Sequence, residues 1–199
     1  MIRDSTVFYK LISIYSLKDI DLFNRAILEF NPHHCTCPLC GAKHACISTG
    51  DAYERYLISY ENQQVVVRTL SISMILCTSC KKSHAVLPAV IVPFATYSLF
   101  FILRVLADYF SPSKSFTIQS LCDKYQVAIS TLYRWISLFK THKKLWLGIL
   151  DDLTVSSYTF IENIFNDSFS LFQLLSSFFS QTGKSFLQFS FQTSLYSSS

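Results

Sequence analysis

Two C-x2-C pairs, Cys37-Pro38-Leu39-Cys40 and Cys77-Thr78-Ser79-Cys80, constrain this 199-residue chain more than any other feature. Residues 41 to 76 separate them. Two thiolates two residues apart grip one metal ion from a tight turn, and a second such turn completes a tetrahedron around Zn²⁺. Gly41 suits the place after the first turn, where a positive φ is often needed. Lys81 stands at the equivalent place after the second pair and fits it less comfortably.

The intervening segment reads as strands. From Arg68 to Leu76, the alternation puts Leu70, Ile72, Met74 and Leu76 on one face and Thr69, Ser71 and Ser73 on the other, the period of a half-buried strand. Tyr53 to Tyr60 is aromatic and β-prone, and Glu61-Asn62-Gln63-Gln64 makes a plausible turn into Val65-Val66-Val67. The two cysteine turns would then close the ends of hairpins that meet at a metal ion, which is a zinc ribbon.

Two other chemistries compete for the cysteines. A disulfide framework fits poorly, because the chain has seven cysteines and its start, with Arg3 and Asp4, lacks a signal-peptide core. A redox C-x2-C belongs in a thioredoxin-like βαβ setting, which this pattern lacks. Structural Zn²⁺ is therefore expected, with Cys37, Cys40, Cys77 and Cys80 as its ligands. Cys35, Cys46, His44 and His84 lie close enough in sequence to compete for a place.

Charge is unevenly spread. Residues 81 to 144 hold nine lysines and arginines against Asp108 and Asp123, a surplus of seven in a chain whose net charge is +4. A basic central block points to a polyanionic partner, although a solvated helix face has the same composition. Residues 85 to 103 are uncharged and long enough to span a bilayer. Pro88 and Pro93 interrupt that run, and Thr96-Tyr97-Ser98 resembles a helix entry. A cytoplasmic protein with no membrane segment is expected.

Outside the cysteine region the pattern is helical. Ile20, Phe23, Ile27 and Phe30 recur at helical spacing and end at Asn31-Pro32. Ser98 to Phe110 is apolar nearly all round, as in a core helix. Thr117 can cap a helix carrying Ile118, Leu121, Cys122 and Tyr125; Gln126-Val127-Ala128 turns the chain, and Leu132, Trp135, Ile136, Phe139 and Trp146 line a longer helix. Two helices joined by so short a turn read as a helix-turn-helix. Cys122 would lie where they touch, as a small packing residue. Ser130, Thr131, Tyr133 and Arg134 would enter the major groove, and Lys140, Lys143 and Lys144 would meet phosphates. The bland counterpart is an αα-hairpin with a polar outer face.

The motifs Cys37-Pro38-x-Cys40-Gly41, Cys77-x2-Cys80-x3-His84-Ala85-x-Leu87-Pro88 and Ser130-Thr131-x-Tyr133-Arg134-Trp135 occur here in a fixed order. Together they resemble a bacterial family of uncharacterised, transposase-like proteins that joins a zinc ribbon to a helix-turn-helix. The likeness takes in Val92-Pro93-Phe94 and Tyr97-Ser98-Leu99 and covers about residues 30 to 147. It implies double-stranded DNA as partner, an association with mobile elements or phage-like regions, and Cys37, Cys40, Cys77 and Cys80 as zinc ligands. Two positions depart from the motif: Gln126 stands where the turn often has Gly, and Ala128 where a capping Ser is common, at a cost of about 1 kcal/mol.

No catalytic site is legible. A transposase nuclease needs metal-holding carboxylates, and beyond residue 147 there are only Asp151, Asp152, Glu162 and Asp167. Ile161 to Leu175 suggests one packing or oligomerisation helix, and from Gln181 the Ser-rich tail is expected to be loosely ordered. The expected architecture is α+β: a helical lead-in over 1–34, a small β zinc ribbon over 35–93, a helix-turn-helix domain over 94–150, and a helical segment with a Ser/Phe-rich tail over 151–199. The expected function is non-enzymatic DNA binding as an accessory or regulator of a mobile element. A non-catalytic transposase part and a zinc-ribbon protein-interaction module are the rivals, and a homodimer or a transposase subunit is a further partner to consider.

Overall fold

The structure is a computed structural model that describes residues 2–4, 30–61, 63–88, 91–113, 116–149, 155–166 and 168–188. Its centre is a long antiparallel hairpin, β2 (Cys46–Glu61) and β3 (Gln64–Cys77), following a short first strand β1 (Ile2–Asp4). The pairing runs from Cys46 opposite Cys77 to Glu61 opposite Gln64. At the turn Gln63 takes φ +63°, as two-residue hairpin turns require. Strand β4 (Ser83–Pro88) pairs antiparallel with β3, and β1 adds parallel to β4, giving the order β1-β4-β3-β2. Five helices follow: α1 (Leu99–Phe110), α2 (Ile118–Tyr125), α3 (Ile129–Ile149), α4 (Ser157–Asn166) and α5 (Ser168–Thr182). The fold is mixed α+β, with the sheet first and the helices after it.

The alternation expected along β3 holds only in part. Leu70 and Ile72 are buried, but beyond them the fully buried residues are Ile75 and Cys77, while Met74 and Leu76 are half-buried. The change falls where β2 carries surplus residues between Ser48 and Ala52, with Gly50 at φ +76°. Such a bulge bends its strand and adds local twist. There β4 also joins, setting His84 opposite Ile75.

The far end of the hairpin is sewn to the helices. Ile58 donates its N–H to the Thr96 carbonyl at 2.8 Å and accepts from Ser98 N–H at 2.9 Å, which covers part of the outer edge of β2. Arg55 donates to the carbonyls of Val92 and Ala95. Tyr60 packs on Tyr125 at 4.7 Å and on Phe101 at 6.4 Å, and Tyr97 meets Trp135 edge-on at 4.9 Å. Twelve residue steps of β2 separate this seam from Cys46, which places the cysteine turns about 35–40 Å away along the strand.

Helix α1 begins where Ser98 Oγ accepts from Phe101 N–H at 3.0 Å, and most of its side chains are buried at the centre of the helical core. Thr117 caps α2 through a reciprocal box with Ser120. Gln126 ends α2 at φ +53°, Val127 is buried, and Ala128 starts α3 by backbone carbonyl alone. Leu132, Trp135, Ile136, Phe139 and Trp146 form the buried stripe of α3, and Cys122 lies in the same core. An ion pair of 2.7 Å from Lys124 to Asp108 and a 2.8 Å bond from Tyr125 Oη to the same carboxylate fasten α2 to α1.

One expectation changes beyond residue 150. The helix expected across Ile161 to Leu175 is described as α4 and α5 on either side of residue 167, which lies outside the described residues. The tail expected to be loose from Gln181 instead folds back: Phe186 and Leu187 are buried in the helical core, and Leu187 N–H donates to His142 Nδ1 at 2.9 Å. Two consecutive apolar side chains gain more from burial than the segment loses in freedom. The helix expected over Ile20 to Phe30 lies almost wholly outside the described residues, as does the tail beyond 188.

Candidate metal centre and basic helix face

Each C-x2-C pair forms the same turn. Gly41 N–H donates to the Cys37 carbonyl and Cys37 N–H to the Ala42 carbonyl, both at 2.9 Å. In the second turn Lys81 N–H donates to the Cys77 carbonyl at 2.9 Å and Cys77 N–H to the Lys82 carbonyl at 3.0 Å. Gly41 has φ +73° and Lys81 φ +57°. A non-glycine residue in this left-handed region costs about 1–2 kcal/mol, so Lys81 occupies its site under strain. Thr78 N–H bonds to the Ala45 carbonyl at 2.7 Å and ties the two turns together.

This repetition brings four sulfurs into one cluster. Cys37, Cys40, Cys77 and Cys80 place their Sγ atoms within 4.8 Å of one another, and the separations Cys37–Cys80 and Cys40–Cys77 are both 3.7 Å. A tetrahedral ion with metal–sulfur bonds of about 2.3 Å has sulfur–sulfur edges of about 3.8 Å. Those two separations are opposite edges of such a tetrahedron, so the donor set fits a four-thiolate metal ion. These four residues could hold a metal ion, and they form the group of this kind found among the described residues. The other nearby candidates stand outside the group. His33 and His44 turn their Nδ1 atoms to each other's backbone carbonyls at 3.3 and 2.8 Å, and Cys46 is a buried thiol in the strand beside Cys77. All seven cysteines are free of disulfides.

The electrostatics of the cluster repeat the two-fold pattern. The backbone N–H of Cys40 holds the Cys37 thiol down at about 6, helped by Leu39 N–H against the pull of desolvation. Cys80 N–H, helped by Ser79 N–H, lowers Cys77 in the same way. Desolvation pushes Cys80 up to about 12, outweighing the N–H of Lys82. At Cys40 the N–H of Ala42 acts downward but is overcome by desolvation and the neighbouring thiols. Without a cation, each turn thus lowers its first thiol and raises its second. A divalent ion draws all four sulfurs into the thiolate form and releases protons as it binds.

The second group of expected residues lies on α3. Ser130, Tyr133, Arg134, Lys140 and Lys144 are all exposed, with Tyr133 at 53 %, and helical spacing aligns them with Ser137 and Thr141 in one stripe. No Asp or Glu occurs between residues 124 and 150. Thr131 and Lys143 fall beside that stripe. Thr131 is half-buried, and half-buried Lys143 donates its Nζ to the Val155 carbonyl ahead of α4.

His84 is the site residue whose place sequence reasoning did not settle. It is buried on β4, and its Nε2 lies 3.3 Å from Cys37 Sγ. Its signal in the sequence is the alternation His84-x-Val86, which puts an imidazole on the inward side of a strand next to the second cysteine turn.

Residues 37–135 match the family model of a domain of unknown function, DUF6431. The matched stretch starts at the first cysteine of the cluster and ends at Trp135 in the first part of α3. It therefore contains the whole four-cysteine cluster, the hairpin, α1, α2 and the start of the basic stripe. No curated protein and no solved structure matches the chain. Among the described residues, no helix is long and apolar enough to cross a membrane.

Proposed function

We propose that this chain is a DNA-binding protein in which a zinc ribbon is joined to a helix-turn-helix, serving a mobile element as accessory or regulator rather than as an enzyme. In this reading Cys37, Cys40, Cys77 and Cys80 hold Zn²⁺ as a structural ion, and the hairpin they staple supports the helices from the far end of β2. Helices α2 and α3 are the helix-turn-helix. The N-terminal residues of α3, Ser130, Tyr133 and Arg134, face base edges and phosphates in the major groove, and Lys140 and Lys144 follow the backbone. The tie to mobile elements rests on the family resemblance of the motifs, and a cytoplasmic location goes with it.

The observation that carries the reading is the exposed stripe of α3, with three cations and no acidic residue between 124 and 150. A stripe of one sign on a helix that follows a short turn suits a phosphate backbone, whose affinity for it falls steeply with salt. A protein-interaction module is the second reading. It is favoured by Ile129 and Leu145, exposed beside the same stripe, and by Phe94, exposed in the loop before α1.

The test is binding of the zinc-loaded chain to duplex DNA across a salt series, with Arg134→Ala and Lys140→Ala beside the wild type. Each substitution should weaken binding, and Lys140→Ala should reduce the slope of log K against log[salt] by about one unit. Unchanged affinity and slope in both variants would move the function to protein interaction.

A further inference from the structure

An imidazole buried without a partner is destabilising, so the neighbours of His84 matter. Its side chain is 6 % exposed, it stands opposite Ile75 across the β3–β4 pair, and it shares the inward side of β4 with buried Val86. Nε2 lies 3.3 Å from the sulfur of Cys37, which is itself 1 % exposed. A sulfur bound to a metal ion has no proton to give, so between these two atoms in the loaded centre the ring is the donor. His84 is not a member of the group of four sulfurs whose ligand atoms all lie within 4.8 Å of one another. The imidazole therefore meets Cys37 from outside the tetrahedron.

We propose that His84 is a positioning residue of the metal centre, donating Nε2–H to Cys37 Sγ and holding that sulfur aimed at the ion. The proposal rests on the metal reading above. A charge-assisted N–H···S bond spreads the negative charge of a four-thiolate centre and fixes the rotamer of one ligand. Cys37 belongs to the segment before β2, whereas His84 belongs to β4. The bond thus joins the first cysteine turn to the strand that leads out of the sheet toward α1, and pairing of β4 with β3 becomes linked to metal loading.

The experiment uses the full chain, stripped of metal and titrated with Co²⁺, then with Zn²⁺ against a chromophoric chelator. Wild type is compared with His84→Phe, which keeps a ring without a donor, and His84→Gln, which keeps an N–H near the Nε2 position. Zinc affinity should fall 10–100-fold in His84→Phe and much less in His84→Gln, while the cobalt–thiolate bands of all three stay those of four sulfur ligands. In wild type loaded with the spin-active cadmium isotope, the His84 Nε2–H proton should show coupling to the metal through the hydrogen bond. Wild-type affinity in His84→Phe, an equal loss in both variants, or absence of the coupling would overturn the proposal. So would cobalt bands of three sulfurs and one nitrogen in wild type, since His84 would then be a ligand. If His84→Phe does not fold, the wild-type cadmium spectrum decides alone. Failure of the wild type to bind Co²⁺ at all would instead overturn the metal reading, a result distinct from the others.

Discussion

The two ends of the hairpin are stabilised by different physics. At the cysteine end the buried cluster is small, and Cys37, Cys46 and Cys77 are among its members. At the other end Tyr60 and Tyr97 enter a core crowded with Phe101, Tyr125, Trp135, Phe139, Phe178 and Phe186. A core of that size holds itself together by burial. Four sulfurs gathered without a cation do not, because desolvation and mutual repulsion oppose their ionisation. The difference teaches that one end of this molecule should depend on metal and the other should not.

The largest expected effect comes from removing the ion. Chelation, or Cys77→Ser, should abolish tight metal binding and unfold the cysteine turns with β4, since a structural zinc contributes on the order of 10 kcal/mol. Hydrogen exchange read residue by residue should then show protection lost from Cys37 to Ser48 and from Met74 to Leu87, and kept in the far end of the hairpin and in α1 to α3. Loss of protection everywhere at once would break the comparison and make the two ends one cooperative unit.

The reverse experiment is Phe139→Ala. This ring is fully buried against Phe110, Phe160 and Phe186, far from the sulfurs. The change should lower stability to denaturant by about 3–5 kcal/mol while zinc affinity stays within a few-fold of wild type. A large change in zinc affinity would show that the helices organise the cysteine turns.

Acid should weaken both ends by separate routes. His142 is buried against Phe178 and Phe186, accepts from Leu187 N–H, and is held down at about 4 by desolvation and by Lys184. Its folded value lies below the ordinary 6.5, so its neutral form is favoured by folding. The stability it contributes is complete above pH 6.5 and is lost as pH falls toward 4. His142→Phe should flatten that part of the pH–stability curve of metal-free protein. At the sulfurs, protons compete with the ion, so apparent metal affinity should rise with pH through neutrality, Cys80 giving up the proton that desolvation holds on it. Proton release measured on zinc addition checks the second route.

The smallest effects are those of backbone strain. Lys81→Gly and Gln126→Gly place the permissive residue at φ +57° and +53°. Each should gain up to about 1 kcal/mol, the first seen in the metal-loaded cysteine end and the second in the thermal stability of the helices. A loss at either position would mean that its side chain contributes more than its backbone costs.

Much of this was legible in residue order because it depends on local spacing. A C-x2-C turn needs only neighbouring residues, so the four ligand candidates followed from the sequence, as did the helix entry at Thr96-Tyr97-Ser98, the Thr117 cap and the buried stripe from Leu132 to Trp146. The positive φ at Lys81 and Gln126 was also foreshadowed, since each stands where glycine would be easier. Tertiary contact decided the rest. The inward side of β3 changes at a bulge carried by its partner strand, which no periodicity within β3 records. Phe186 and Leu187 return to α3, where His142 offers an acceptor and the helical core buries both side chains, a setting assembled from helices far away in the chain. Lys143 and Lys144 are neighbours with the same chemistry, yet 100° of helical rotation turns one to the Val155 carbonyl and leaves the other exposed. The sequence by itself determined which side chains could bind an ion and which could form a core. Only the folded chain decided that His84 meets Cys37, because a contact between β4 and a turn forty-seven residues earlier exists only once the sheet has closed.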